Sequence, residues 1–107
     1  MTSKIRYLNT DLELISETDV SPLVDVFESS GVGLLHLTRG DNSWHASLET
    51  AQQYDDPETT IAQMLTVMES LDDSLRAIWY GCTQREFDIG YEGGQAPRSF
   101  KQTLSSQ

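Results

Sequence analysis

The sequence predicts an α+β domain with a ferredoxin-like split βαβ sandwich, whose elements follow the order βαββαβ. Apolar and polar residues alternate with a period of two in residues 7–15, 43–50 and 85–91, as in strands with one buried face. Apolar residues recur at helical spacing in residues 22–29 and 57–81. We therefore expect an antiparallel sheet that carries its helices on one face only.

The first strand and the first helix have recognisable boundaries. Residues 7–15 place leucines on one face and mostly polar residues on the other. Ser21 can cap the following helix, and Pro22 suits its first turn because no N–H partner is lost there. Gly31 is expected to end this helix in a left-handed conformation.

A β-hairpin is predicted next. Residues 32–38 are apolar on both faces, which favours a central strand of the sheet. The turn at residues 39–42 joins it to the alternating strand at residues 43–50. A turn centred there pairs His36 with His45.

The second half of the chain begins with another helix, capped by Asp56. Residues 72–74 are expected to break and recap it before Gly81 ends it. After the strand at residues 85–91, we expect residues 92–107 to be a flexible or short helical tail. Residues 1–107 are predicted to form one domain, as their number suggests.

The charge of the chain narrows the classes of partner. It has 17 acidic and 7 basic residues, a formal net charge of −10. The basic residues form no run, and binding to nucleic acid phosphates requires a basic footprint. We therefore expect no direct binding to nucleic acid and none to an anionic membrane surface. The expected partner is another protein, with a basic surface, or a second copy of the chain.

The sequence also predicts a cytoplasmic setting. The single cysteine, Cys82, allows no intrachain disulfide, which fits a reducing compartment. No apolar segment approaches the roughly 20 residues that span a membrane. The N-terminal residues 1–6 lack the apolar core of a signal peptide.

Polar residues collect on the predicted sheet face that no helix covers. That face is expected to carry Asn9, Asp11, Glu13, His45, Ser47, Glu49, Glu86 and Asp88. Together with the aromatic Tyr80 and the nearby Arg85, its acids are the predicted interaction residues: Asp11, Glu13, Glu49, Arg85, Glu86, Asp88 and Tyr80.

Three groups of residues could in principle carry chemistry. His36 and His45 could bind zinc with Glu49 or Asp88, but no spaced ligand motif supports them. Cys82 follows a helix C-terminus, where the dipole does not activate a thiolate. Glu86 and Asp88 share a strand face without an apolar pocket to separate their pKa values. We predict no catalytic residue, no metal, no cofactor and no enzymatic activity.

Two segments, YLNTDLEL at residues 7–14 and GCTQREFDIGY at residues 81–91, carry a resemblance. They resemble a loose group of small bacterial proteins to which no activity is attached. The resemblance implies a further helix and strand after residues 97–100. On that expectation this chain lacks an edge element, so its open sheet edge could pair with a partner or a second copy.

The favoured hypothesis is an acidic adaptor or regulatory domain that binds protein through its polar sheet face or an open sheet edge. One alternative is an inhibitor or immunity-type protein whose acidic surface mimics nucleic acid. The other alternative is a small ligand-binding domain or enzyme with a site near Arg85 and Asp88. The fold by itself does not choose among them, because this architecture hosts many functions.

Overall fold

A computed structural model describes the backbone of residues 6–93 and 96–103, and the side chains of residues 7–91. The described elements are β1 (Arg6–Ser16), α1 (Ser21–Ser29), β2 (Val32–Arg39), β3 (Trp44–Thr50), α2 (Pro57–Glu69), α3 (Asp73–Gly81), β4 (Gln84–Gly93) and β5 (Ala96–Thr103). The α+β class is confirmed.

The strands form one antiparallel sheet in the order β2-β3-β1-β4-β5. β1 pairs with β3 on one side and with β4 on the other. In this register Leu12 lies between Leu48 and Phe87, whereas Asp11 lies between Glu49 and Asp88. Neighbouring residues of β1 therefore belong to opposite faces of the sheet.

The predicted βαββαβ order is not what the chain adopts. Two helices separate β3 from β4, because the side chain of Asp72 caps a new helix by accepting a hydrogen bond from the Leu75 amide at 2.9 Å. Residues 96–103 form β5 instead of the predicted loop and helical turn. Its backbone pairs with β4 over the register Gly93↔Ala96 to Glu86↔Thr103. Residues 92–93 belong to β4, and the rest of the predicted tail lies outside the described residues.

The prediction that residues 32–38 form a central strand is wrong. Within the described sheet, β2 is an edge strand that pairs only with β3. Its register with β3 shifts between Leu34 and His36, so Leu35 is an extra residue of a β-bulge. Leu35 has 53% of its surface exposed. The apolar run that favoured a buried strand therefore includes one bulged, solvent-facing leucine.

The helix ends agree with most of the predicted caps. The side chain of Asp56 accepts a hydrogen bond from the Thr59 amide at 2.7 Å and caps α2. Gly31 has a φ of 91° after α1, as predicted. Ser21, however, is already helical; Val20 is the N-cap residue of α1 and makes no side-chain capping bond.

The helices cover the face of the sheet that carries Leu12, Leu14 and Phe87. The buried core joins these strand residues to side chains of all three described helices, and its members are Leu12, Leu14, Val20, Leu23, Val24, Phe27, Val32, Ala46, Leu48, Met64, Val67, Leu71, Trp79, Cys82 and Phe87. Phe27 of α1 stacks on Trp79 of α3, with ring centroids 6.0 Å apart. The prediction that helices lie on one sheet face agrees with this core.

Substitution of Leu12, at the centre of this core, tests which face of the sheet the helices cover. We expect Leu12→Ala to lower the free energy of unfolding by about 2–5 kcal/mol, because it leaves a cavity between sheet and helices. Leu35→Ala is the matched control, and at its exposed position we expect a change within about 0.5 kcal/mol. Urea denaturation followed by circular dichroism measures both, and similar losses in the two variants would contradict the assignment of faces.

Candidate functional site

The sheet face opposite the helices is the candidate site, and we call it the open face. The alternation and register of the strands assign to it the predicted residues Asn9, Asp11, Glu13, His45, Ser47, Glu49, Glu86 and Asp88. The bulge in β2 adds His36, which lies opposite Ser47. Polar side chains thus come from four adjacent strands.

The carboxylates of the open face form two cross-strand rows. In the first row, Asp11 on β1 lies directly between Glu49 on β3 and Asp88 on β4. In the second row, Glu13 lies beside Glu86. Directly opposed residues of an antiparallel pair have Cβ atoms about 4.5–5.5 Å apart, so like charges there repel each other.

Asp11 experiences this crowding most strongly. Its pKa rises from the ordinary 3.8 to about 7. Partial burial is the largest cause, followed by the charge of Glu49, a side-chain hydrogen bond to Glu49, and the charges of Glu13 and Asp88. Asp11 therefore exchanges its proton near neutral pH and changes the charge of the row when it does.

Glycine at position 90 makes room for a polar contact at the end of the first row. Gly90 lies opposite Asn9, and a Cβ atom built on it would be only 2.6 Å from the Oδ1 atom of Asn9. The Asn9 side chain occupies this space and donates a hydrogen bond from Nδ2 to Oδ1 of Asp11 at 3.2 Å. A side chain at position 90 would require the Asn9 side chain to move from this position.

Glu13 is held by two contacts to β3. Its Oε1 atom lies 3.1 Å from Nε2 of His45, and its Oε2 atom accepts a hydrogen bond from the Ser47 hydroxyl. Its side chain has only 17% of its surface exposed, compared with 40% for His45. The two contacts fix the position of the carboxylate on the sheet.

His36 completes a group that joins the two histidines of the sequence analysis to a different carboxylate, Glu13. Each of Glu13, His36 and His45 offers one ligand atom, and these atoms all lie within 4.8 Å of one another. The predicted direct pairing of the histidines is wrong, because the register pairs Thr38 with His45. The carboxylate beside them is Glu13 rather than the predicted Glu49 or Asp88. Pairing of β1 with β3, which are not consecutive, produces this contact.

Arg85 and Tyr80 do not belong to the open face. Arg85 is buried on the helix side, where its Nη1 atom donates a hydrogen bond to the carbonyl oxygen of Trp79 at 2.9 Å. Tyr80 on α3 is 49% exposed, and its ring centroid lies 5.6 Å from the Arg85 guanidinium carbon. The predicted interaction set is therefore divided: its five acids lie together, whereas these two residues lie elsewhere.

The geometry also weakens the predicted site near Arg85 and Asp88. Arg85 lies opposite Leu14 in the register, whereas Asp88 lies opposite Asp11, so the two occupy different sheet faces. The two described surface pockets lie elsewhere: one beside Arg39 and Trp44 at the hairpin end, the other beside Tyr7, Asn9, Thr10, Glu49, Thr50, Gln53, Tyr54 and Thr60.

The surroundings of Cys82 do not activate its thiol. It is buried at the end of α3, and Sγ lies 3.4 Å from the carbonyl oxygen of Ile78. Burial raises the pKa of this thiol above its ordinary value, and the charge of Arg85 offsets only part of that increase. The protonated thiol is a weak nucleophile.

No helix in the described part of the chain is long and apolar enough to cross a membrane.

The raised pKa of Asp11 predicts how stability depends on pH. Folded Asp11 binds its proton more tightly than the unfolded chain does, so its contribution to stability falls as pH rises from about 4 to about 7. We expect Asp11→Asn to stabilise the protein at pH 8 by about 1–2 kcal/mol. This is less than about 1.4 kcal/mol for each unit of the pKa rise, because solvent screens the charges around the half-exposed Asp11. The gain should vanish near pH 4.

Chemical denaturation at pH 4, 6 and 8 measures this dependence. Asp25→Asn, at an exposed position on α1, is the control for the change in net charge. If the difference in stability between Asp11→Asn and the original chain stayed constant from pH 4 to pH 8, it would contradict the raised pKa of Asp11.

Comparison of the chain with protein-family models, curated proteins and solved structures finds no match. The function of the chain is therefore inferred from the chemistry of the open face.

Proposed function

We propose that this chain is a protein-binding domain whose open face binds a basic segment of another protein. The observation that carries the proposal is the grouping of Asp11, Glu13, Glu49, Glu86 and Asp88 on three adjacent strands. In the described part of the chain, the helices pack against the other face of the sheet. Asp11, Glu13, Glu49 and Asp88 are partly exposed on this face, whereas Glu86 is buried.

The negative charge of the open face favours a partner segment that is positively charged. A net charge of −10 attracts cationic partners over distances comparable to the Debye length, about 10 Å at 0.1 M salt. Such attraction mainly accelerates encounter and fixes orientation. A cationic group seated between Asp11 and Glu49 would also relieve the repulsion between these carboxylates. The cation-bound state is therefore favoured both by attraction to the carboxylates and by relief of their mutual repulsion.

The same charges argue against a second copy of this chain as the occupant of the open face. In a symmetric dimer each surface meets its own equivalent on the partner. Two copies of the open face would place carboxylates against carboxylates, which costs free energy. Self-association through this face is therefore disfavoured, and a separate basic protein is the proposed partner.

The spacing of the acids indicates what kind of segment fits. Neighbouring strands are about 4.8 Å apart, so the row from Glu49 through Asp11 to Asp88 is roughly 10 Å long. Three or four residues of extended chain cover that distance. The proposed contact is therefore the row on β3, β1 and β4, with lysine or arginine side chains reaching its carboxylates.

A labelled octalysine peptide tests the proposal by fluorescence anisotropy, with EDTA present to exclude metal ions. The test variant combines Asp11→Asn, Glu49→Gln and Asp88→Asn. Exposed ion pairs contribute about 0.5 kcal/mol each, so we expect its affinity to fall about tenfold. The three substitutions remove mutual repulsion, so the variant is expected to fold.

The matched control combines Asp25→Asn, Glu28→Gln and Asp55→Asn, which change net charge equally at exposed positions outside the sheet. We expect its affinity to fall less than about twofold. An equal loss in both triple variants would mean that binding follows net charge alone, which would overturn the proposal. Absence of binding to octalysine at 50 mM salt would overturn it as well.

A further inference from the structure

Three potential metal ligands converge near one end of the open face, on three consecutive strands of the sheet. Glu13 comes from β1, His45 from β3 and His36 from β2. The imidazole rings of His36 and His45 meet edge to face, with centroids 5.5 Å apart and planes inclined at 79°. With the 3.1 Å approach of His45 to Glu13, this brings two ring nitrogens and a carboxylate oxygen into one cluster.

The β-bulge directs His36 into this cluster. In a regular strand, His36 would lie on the same face as Leu34, which packs against the core. The extra residue Leu35 shifts the alternation, so His36 lies opposite Ser47 on the open face. Bulges often redirect a side chain in this way next to functional sites.

Ser47 holds the Glu13 carboxylate of this cluster in position. It is buried, and its register partners are Glu13 on one side and His36 on the other. Its hydroxyl donates a hydrogen bond to Oε2 of Glu13, which leaves Oε1 facing His45. Metal-binding carboxylates are commonly oriented by such a second hydrogen bond.

We infer that Glu13, His36 and His45 bind a Zn²⁺ ion, an activity that goes beyond the proposed protein binding. Two imidazoles and one carboxylate form a three-ligand set that leaves a fourth tetrahedral position for water or another ligand. Zinc bonds of about 2.0–2.2 Å place ligand atoms roughly 3.3–3.6 Å apart. Modest rotation of the exposed His36 side chain brings the cluster from its present 4.8 Å limit into that range.

The surrounding charge favours a cation at this position. Glu86 lies opposite Glu13 across β1 and β4, and Asp11 and Glu49 lie one row away. A surface of one charge sign raises the local concentration of counter-ions. The histidines distinguish this cluster from the acidic rows, because imidazole nitrogen prefers Zn²⁺ to the hard cations that carboxylates alone attract.

Isothermal titration of the metal-free chain with ZnCl₂ tests the inference, and Co²⁺ provides a spectroscopic readout of nitrogen ligation. We expect one Zn²⁺ per chain, and a loss of affinity of at least tenfold in each of His36→Gln and His45→Gln. Ser47→Ala removes only the supporting hydrogen bond and should weaken binding by about tenfold. Asp25→Asn, which removes an exposed acid of α1 outside the open face, is the control and should bind within twofold.

Either of two results would overturn the inference: no Zn²⁺ binding by the original chain, or equal binding by the original chain and both histidine variants. The second result would assign the ion to diffuse attraction by the acids. Circular dichroism confirms that each variant is folded. Because octalysine binding is measured in EDTA, failure of the metal site leaves that experiment unaffected, and the two proposals can fail separately.

Discussion

β1 is hydrogen-bonded on both sides, to β3 and to β4, and its alternation decides what each face of the sheet carries. Leu12 and Leu14 are fully buried beneath the helices, so Asp11 and Glu13 must point away from them. A slip of one residue would exchange these pairs and place two carboxylates in the core. The burial that stabilises the fold therefore also enforces the acidic surface.

That surface has an energetic cost which the core offsets. Asp11 has a carboxylate on each neighbouring strand, and its pKa rises to about 7 first because of partial burial and then because of repulsion by these carboxylates. A neutral residue at this position would remove the repulsion without disturbing Leu12. Strongly shifted pKa values are found more often at functional sites than elsewhere. The proposed binding of a cation beside Asp11 would relieve this repulsion.

Local patterns in the sequence predicted the parts of this structure that depend on neighbouring residues. The alternation of residues 7–15, the Asp56 cap and the left-handed Gly31 follow from spacing and from backbone sterics, so they could be predicted. The bulge at Leu35 could not, because one extra residue leaves no mark in an apolar run. The contact of Glu13 with His45 depends on pairing between strands that are distant in sequence. β5 could not be predicted, because residues 96–103 have no clear alternation of apolar and polar residues.

Both proposals depend on the grouping of carboxylates on the open face. They differ in the ligand atoms that each part of this face offers. Carboxylates gathered on one face are stabilised by any cation, whether a proton on Asp11, a metal ion or a basic side chain. At one part, His36 and His45 add nitrogen donors beside Glu13, which favours a transition metal. In the row of Glu49, Asp11 and Asp88, the described ligands are carboxylates, which accept lysine or arginine without such selection. The bulge at Leu35 is the reason for this difference in ligands. It brings His36 to the open face at the edge of the sheet, where His36 joins His45 and Glu13.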